Sequence, residues 1–392
     1  MSPTRITVAP LLLTLGILAS ALVASADEPA KPDPNPSSEV KVKEIKWPGL
    51  VSIFHGDAWG NDEKYLQAIA ETGFGATGCS EKEIDQCRKY GLKAYVFCWP
   101  HEAATIPAKH KDDDTVLCYY YSDRQKPRKW PLFAEWEKQS YQGDPYHPAV
   151  FTMASDIGHM DLFIPMVRAR VMEYYHYHWD GKRQPHMHFA NLETLRQSSA
   201  KAGGVPICRI VETRAEDKRK TRQTVYTSLA YGVRGYRGGG RGLFDREKRD
   251  DRGLPTLTEH GEEAKRLNQA IKAYSPVFEM ARSVDVFHTA PLPPGTKEAP
   301  TDHWVRPTGE EVVLGEFADP DKNRFLVVAN RDAGRPHEAM LHFTDASLNV
   351  ERMDKATAKW QPVASSADGK GIAVKVALED GGGELLRVVP KK

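Results

Sequence analysis

Residues 116–148 read VLCYYYSDRQKPRKWPLFAEWEKQSYQGDPYHP, and the fold turns on how this stretch divides. Its opening run, VLCYYY, is apolar and aromatic throughout, as a strand buried on both faces requires. Polarity appears abruptly at Ser122-Asp123. Trp130, Phe133, Ala134, Trp136 and Glu137 then recur at helical spacing, with the aromatics on one face. Asp144-Pro145 and His147-Pro148 end that helix, because proline has no N–H with which to continue it. The run AVFTMA (149–154) begins a new strand at once. The unit is strand–helix–strand, with an acidic residue at the carboxyl end of its first strand. In parallel α/β folds that end carries the ligands and the chemistry.

The same alternation extends in both directions. Strand-like runs occur at LVSIFHGD (50–57), FGATGC (74–79), LKAYVFCW (92–99), VLCYYYSD (116–123), AVFTMA (149–154), VMEYYHYHW (171–179), VPICRIVET (205–213) and GVRGYRGG (232–239). Helix signals lie between them. Ser80-x-x-Glu83 is a capping box with Ile84 and Cys87 behind it and Gly91 as a stop. Asn61-Asp62-Glu63 opens a helix with Tyr65, Leu66, Ile69 and Ala70 on its apolar side, and residues 191–202 and 221–231 fill two later slots. Thr258 begins the last, with Ala264, Leu267, Ile271 and Tyr274 as the inner stripe. Eight alternations predict a (β/α)8 TIM barrel over 47–285. A doubly wound open sheet is the alternative, but no Gly-rich phosphate loop follows the first strand.

Beyond residue 285 the pattern changes. Pro291, Pro293 and Pro294 mark a linker over 286–299. Short alternating runs follow, among them EVVLGEFA, NRFLVVAN, GIAVKVAL and GELLRVV, which predict a small all-β, sandwich-like C-terminal domain over 300–392.

The order "aromatic strand, Ser-Asp, Pro, amphipathic helix, Asp-Pro-x-His-Pro, strand" resembles the fourth βα unit of barrel glycoside hydrolases related to clan A. Such enzymes often carry a C-terminal β-sandwich. Where they read Asp-Glu-Pro after this strand, with Glu as general acid/base, this chain reads Asp123-Arg124-Gln125, with Pro127 two positions on. The resemblance implies an acid/base at the end of the fourth strand and a nucleophile at the end of the seventh, here Asp123 and Glu212. Two facing carboxylates are what glycosidic cleavage needs: one protonates the leaving oxygen, the other attacks C1 or activates water.

Other rim residues suit a sugar. His55 and Asp57 end the first strand, and Trp99 follows the third. The sixth alternates Tyr174, His176 and His178 on one side and ends in Trp179, whose ring can stack on sugar C–H faces. A metal-dependent barrel hydrolase could instead use His176 and His178 with Asp180, His186 or His188. Against this, the first strand has His55-Gly56-Asp57 where amidohydrolase-type barrels carry His-x-His. In the segment 234–242, Arg237 and Arg241 among glycines could clamp an anionic substituent. A catalytically silent, glycan-binding barrel is the remaining alternative, because Arg124 stands where the acid is expected.

Composition narrows the partners. A formal net charge of +1 exerts no global pull on nucleic acid or anionic membrane; the resemblance implies a carbohydrate partner and no redox cofactor. Residues 1–26 read as a secretory signal: Arg5, the apolar run from Leu11 to Val23, then Ala24-Ser25-Ala26. The apolar run is shorter than a membrane span, so a secreted or periplasmic location without stable membrane insertion is expected. A Pro-rich tether occupies 27–46. Five cysteines lie at no metal-ligand spacing and read as buried thiols, an odd number that leaves at least one free and allows one disulfide after export.

Overall fold

The computed structural model describes residues 45–55, 62–122, 126–154, 160–176, 185–211, 217–238 and 242–391. The expected signal and nearly all of the tether fall outside them. Eight parallel strands close into a barrel: β1 (Val51–Phe54), β2 (Ala76–Cys79), β3 (Lys93–Phe97), β4 (Val116–Ser122), β5 (Ala149–Ala154), β6 (Met172–Tyr175), β7 (Ile207–Ile210) and β8 (Val233–Gly238), with β8 pairing back onto β1. The helices are α1 (Glu63–Glu71), α2 (Ile84–Lys89), α3 (Thr105–His110), α4 (Trp130–Gly143), α5 (Met160–Val167), α6 (His188–Lys201), α7 (Lys218–Ala230) and α8 (Glu259–Met280). No described helix is long and apolar enough to cross a membrane.

Local chemistry accounts for the helix ends. Asp62 accepts from the Lys64 amide (3.0 Å) and Thr258 Oγ1 from the Gly261 amide (3.2 Å). Glu83 reaches back to the amide (2.7 Å) and hydroxyl (2.8 Å) of Ser80, as the capping box predicts. At the end of α4, Asp144 accepts from the amides of Tyr146 and His147 and from Tyr119 Oη (2.7 Å), which turns the chain into β5.

β4 shows why its sequence is apolar on both sides. Cys118 and Tyr120 pack inside the barrel with Val51, Ile53, Tyr95 and Cys208, and Trp47 packs with them. Tyr119 and Tyr121 face the helix layer, where Tyr121 and Phe133 both stack on Phe151 (5.8 and 4.7 Å between centroids). All five cysteines are buried and unpaired.

A hairpin, β9 (Phe244–Arg249) and β10 (Pro255–Leu257), precedes α8. The C-terminal part has β11 (Arg282–His288), β12 (Val305–Thr308), β13 (Val312–Ala318), β14 (Arg324–Asn330), β15 (His337–Phe343), β16 (Leu348–Met353), β17 (Trp360–Pro362), β18 (Ser365–Asp368), β19 (Gly371–Leu378) and β20 (Gly383–Pro390). They form a six-stranded sheet, β11-β13-β14-β20-β16-β17, and a four-stranded one, β12-β15-β19-β18. The larger sheet already begins at Arg282, ahead of the 286–299 linker expected from the prolines. Its strands β13 and β14 are buried on both faces: Leu314, Leu326 and Val328 fill the sandwich, while Val313, Phe317, Val327 and Ala329 join the core of the barrel's helix layer. Gly315 is required at this contact, since a Cβ there would sit 2.0 Å from the Ala230 carbonyl oxygen on α7. Arg222 on α7 adds a polar clamp, bidentate to Glu263 (2.8 and 2.9 Å) and also on Glu379 (2.9 Å) and Asp380 (3.0 Å).

His288 is sealed at the same contact, its Nε2 2.7 Å from Tyr231 Oη and its ring against Phe189 (4.8 Å). Burial, aided by the Arg331 charge, pushes its pKa from an ordinary 6.5 down to about 3. Between those values the unfolded chain binds a proton that the folded chain refuses, so stability falls as pH drops. We expect unfolding free energy to decline on this account by about 1.4 kcal/mol per pH unit below pH 6.5, flattening near pH 3. Urea titrations at pH 7 and pH 5 should show the loss, and His288→Gln should remove this contribution; an equal loss in the variant would exclude His288 as the source.

Candidate functional site

The strands present their carboxyl ends at one face, and alternation decides which side chains reach the interior beneath it. On β6 the inward residue is Glu173, fully buried. A carboxylate in such a place must be satisfied. Tyr95 Oη donates to its Oε1 (3.0 Å), and Thr152 Oγ1 and Arg237 Nη2 (2.7 Å) donate to its Oε2. The Cys208 thiol lies 3.7 Å from Oε1. Burial pushes the Tyr95 and Cys208 pKa values well above their ordinary range, so both keep their protons and remain donors. Gly235 on β8 makes room, since a Cβ there would lie 2.8 Å from Cys208 Sγ.

Arg237 ties this centre to the mouth. Its guanidinium lies over the rings of Tyr120 (4.9 Å) and Tyr95 (5.4 Å), and Nη2 also donates to Thr152 Oγ1 (3.1 Å). Nη1 lies 3.2 Å from His55 Nδ1. A guanidinium N–H can only donate, so this contact makes Nδ1 an acceptor and puts the proton of the neutral ring on Nε2. His55 and Phe97 pack ring to ring (5.5 Å) and are partly exposed, as are Tyr175 and Ile210. Trp99, just past the mouth end of β3, is 69% exposed, and its amide donates to Glu102 Oε2 (2.7 Å).

The sequence-based candidates divide three ways. His55 and Trp99 lie at the mouth, as expected. Tyr174 and His176 do share one side of β6, but that side faces the helix layer. Tyr174 is fully buried, its hydroxyl 2.8 Å from His176 Nδ1 and its ring under Arg209, and His176 packs on His188 (5.1 Å). Neither lines the barrel interior, because the inward parity of this strand belongs to Glu173. Arg237 is likewise committed to the core, 3% exposed and ion-paired to Glu173, and is not a clamp for an anionic substrate. Asp57, Asp123, His178, Trp179, Glu212 and Arg241 lie outside the described residues.

Glu173, Thr152 and Tyr95 were missed by sequence reasoning. The available signal was a lone Glu inside the apolar run VMEYY, a buried charge that demands a cation elsewhere. On β7, Cys208 is inside, and Arg209 faces the helices, paired with Ser228 Oγ (2.9 Å) and close to His188 Nδ1 (3.1 Å). Among the described residues, the grouping of His and carboxylates with metal-like spacing is Glu311, Asp332 and His337 in the C-terminal part, where Arg335 and the Gly334 amide already engage Asp332.

The Glu173–Arg237 pair predicts a specific stability pattern. Glu173→Gln should cost about 3–5 kcal/mol by leaving Arg237 buried without its counter-charge. Glu173→Gln combined with Arg237→Met should recover much of that loss. Denaturant midpoints for the single and double variants test this; additive losses would mean that the two residues act independently.

No protein-family model matches the sequence, and no curated protein matches it. Solved structures resemble it in fold. α-Galactosidase I from Mortierella vinacea is 10% identical with a TM-score of 0.51, the match covering 91% of this chain and 99% of that one. A GH27 β-L-arabinopyranosidase from Geobacillus stearothermophilus, solved in complex with arabinose, is 9% identical with a TM-score of 0.52, covering 91% of this chain and 100% of that one. The chain therefore has the barrel-plus-β-domain fold of (β/α)8 glycoside hydrolases.

Proposed function

We propose that this protein is an exported glycoside hydrolase acting on a poly- or oligosaccharide at the carboxyl-end mouth of the barrel. The observation that carries the reading is the mouth itself: an exposed Trp99 beside a floor of partly exposed rings, over a core whose charge is internally neutralised. Such a surface stacks on sugar C–H faces and offers His55 as a hydroxyl partner. Glu212 and Asp123 are assigned the two-carboxylate chemistry. A spacing of about 5 Å between the two carboxyls would give retention, and about 6.5–9.5 Å inversion. Arg124, standing where resembling enzymes carry their acid, favours a second reading, a glycan-binding barrel without turnover.

A panel of aryl glycosides and oligosaccharides separates the two. Under the first reading some member is hydrolysed, Glu212→Gln lowers kcat by at least about 1000-fold with melting temperature unchanged, and Trp99→Ala raises KM more than it lowers kcat. Glycan binding with no hydrolysis in the unaltered protein would establish the second. Turnover unaffected by Glu212→Gln would remove that residue from the chemistry.

A further inference from the structure

At the opposite face of the barrel, a cavity of roughly 210 Å³ opens between the end of α6, the start of β8, the end of α8 and the first strands of the C-terminal sheet. Three arginines line it. Arg196 is neutralised by Glu193 (2.6 Å). Arg234 and Arg282 are not: neither forms an ion pair with a carboxylate among the described residues. Arg234 is 8% exposed; its Nε donates to the Gly49 carbonyl (3.1 Å) and its Nη2 to that of Pro48 (3.0 Å). The Nη1 of Arg282 donates to the carbonyls of Glu279 (3.1 Å) and Ala281 (3.0 Å). Each guanidinium therefore keeps N–H groups uncommitted beside the same space. Ser283, which also lines it, has a buried hydroxyl with no hydrogen-bond partner.

Two cations and an orphaned hydroxyl converging on one cavity form an incomplete arrangement. Burial, together with the Arg282 charge, pushes the Arg234 pKa down to about 10, the mark of a cation lacking its counter-ion; Glu279 offsets this only in part. The donors come from two elements, Arg234 on β8 and Arg282 with Ser283 on β11, and so approach from different directions. That suits an anion with three or more acceptor oxygens better than a planar carboxylate with two.

We propose that this cavity binds a tetrahedral oxyanion, phosphate or sulfate, held by Arg234, Arg282 and Ser283. The anion would bridge β8 of the barrel to β11 of the C-terminal sheet and so couple the two parts of the chain. The space exceeds what the ion needs and leaves room for its residual waters.

The test uses the full chain and thermal melting in sodium phosphate, sulfate or acetate at about 10 mM, each against sodium chloride at matched ionic strength. Phosphate and sulfate should raise the melting temperature above chloride, and acetate should not. Arg282→Gln, at an exposed position that the fold tolerates, should leave melting in chloride nearly unchanged and remove most of the increment; Ser283→Ala should reduce it. No increment over chloride in the unaltered protein would overturn the proposal, as would an increment that Arg282→Gln leaves intact. An equal rise in acetate would overturn the tetrahedral assignment. Because Arg282 lies at the end of the barrel away from the mouth, a phosphate effect arising at the mouth would survive Arg282→Gln and count against this site.

Discussion

A glutamate side chain with no solvent exposure stands at the middle of this barrel, and the interior surrounds it with a paired guanidinium and hydroxyl donors. At the 2.7 Å separation of Glu173 and Arg237, attraction amounts to about 6 kcal/mol with an effective dielectric near 20. Removing both ions from water costs several kcal/mol apiece, so the pair alone does little better than break even. The hydroxyls of Tyr95 and Thr152, with the Tyr120 and Tyr95 rings against the guanidinium, tip the balance. What this network supplies is geometry. It joins β3, β5, β6 and β8 through one group of atoms, so a slip of any of these strands would strand a charge. By reaching His55 it also sets the tautomer of a ring at the mouth.

The two ends of the barrel are consequently different environments. At the carboxyl end, among the described residues, charge is neutralised below the surface, and partly exposed rings and the Trp99 indole lie above it. Toward the amino end, at the junction with the C-terminal sheet, lie Arg234 and Arg282, which form no ion pair with a carboxylate among the described residues. That junction is a shared core, because Val313, Phe317, Val327 and Ala329 pack with the apolar residues of α7 and α8. The sandwich thus supplies the outer wall for part of the helix layer, which explains why β13 and β14 are apolar on both faces.

Much of this was legible in the sequence. All eight barrel strands, the caps at Asp62, Ser80 and Thr258, and six of the C-terminal strands follow from local patterns, because hydrophobic period and capping chemistry act within a few residues. The short or polar strands β12, β17 and β18 and the β9–β10 hairpin were not legible. Their pairing partners lie elsewhere in the chain, and their own side chains carry little alternation.

The sequence by itself determined the barrel, the β-domain behind it and the pairing of Tyr174 with His176 on one side of β6. Only the tertiary structure decided which side that was. Alternation divides a strand into two faces but cannot say which looks inward when both are apolar. In β6 the answer rests on Arg237, 64 residues away. Because its charge lies inside the barrel, Glu173 must face it, and Tyr174 and His176 are left to the helix layer. The roles of Arg237 and of the unpaired Arg234 were undecidable for the same reason: the sequence shows that a cation is present, but the burial and partners that define its energy exist only once distant strands have closed around it.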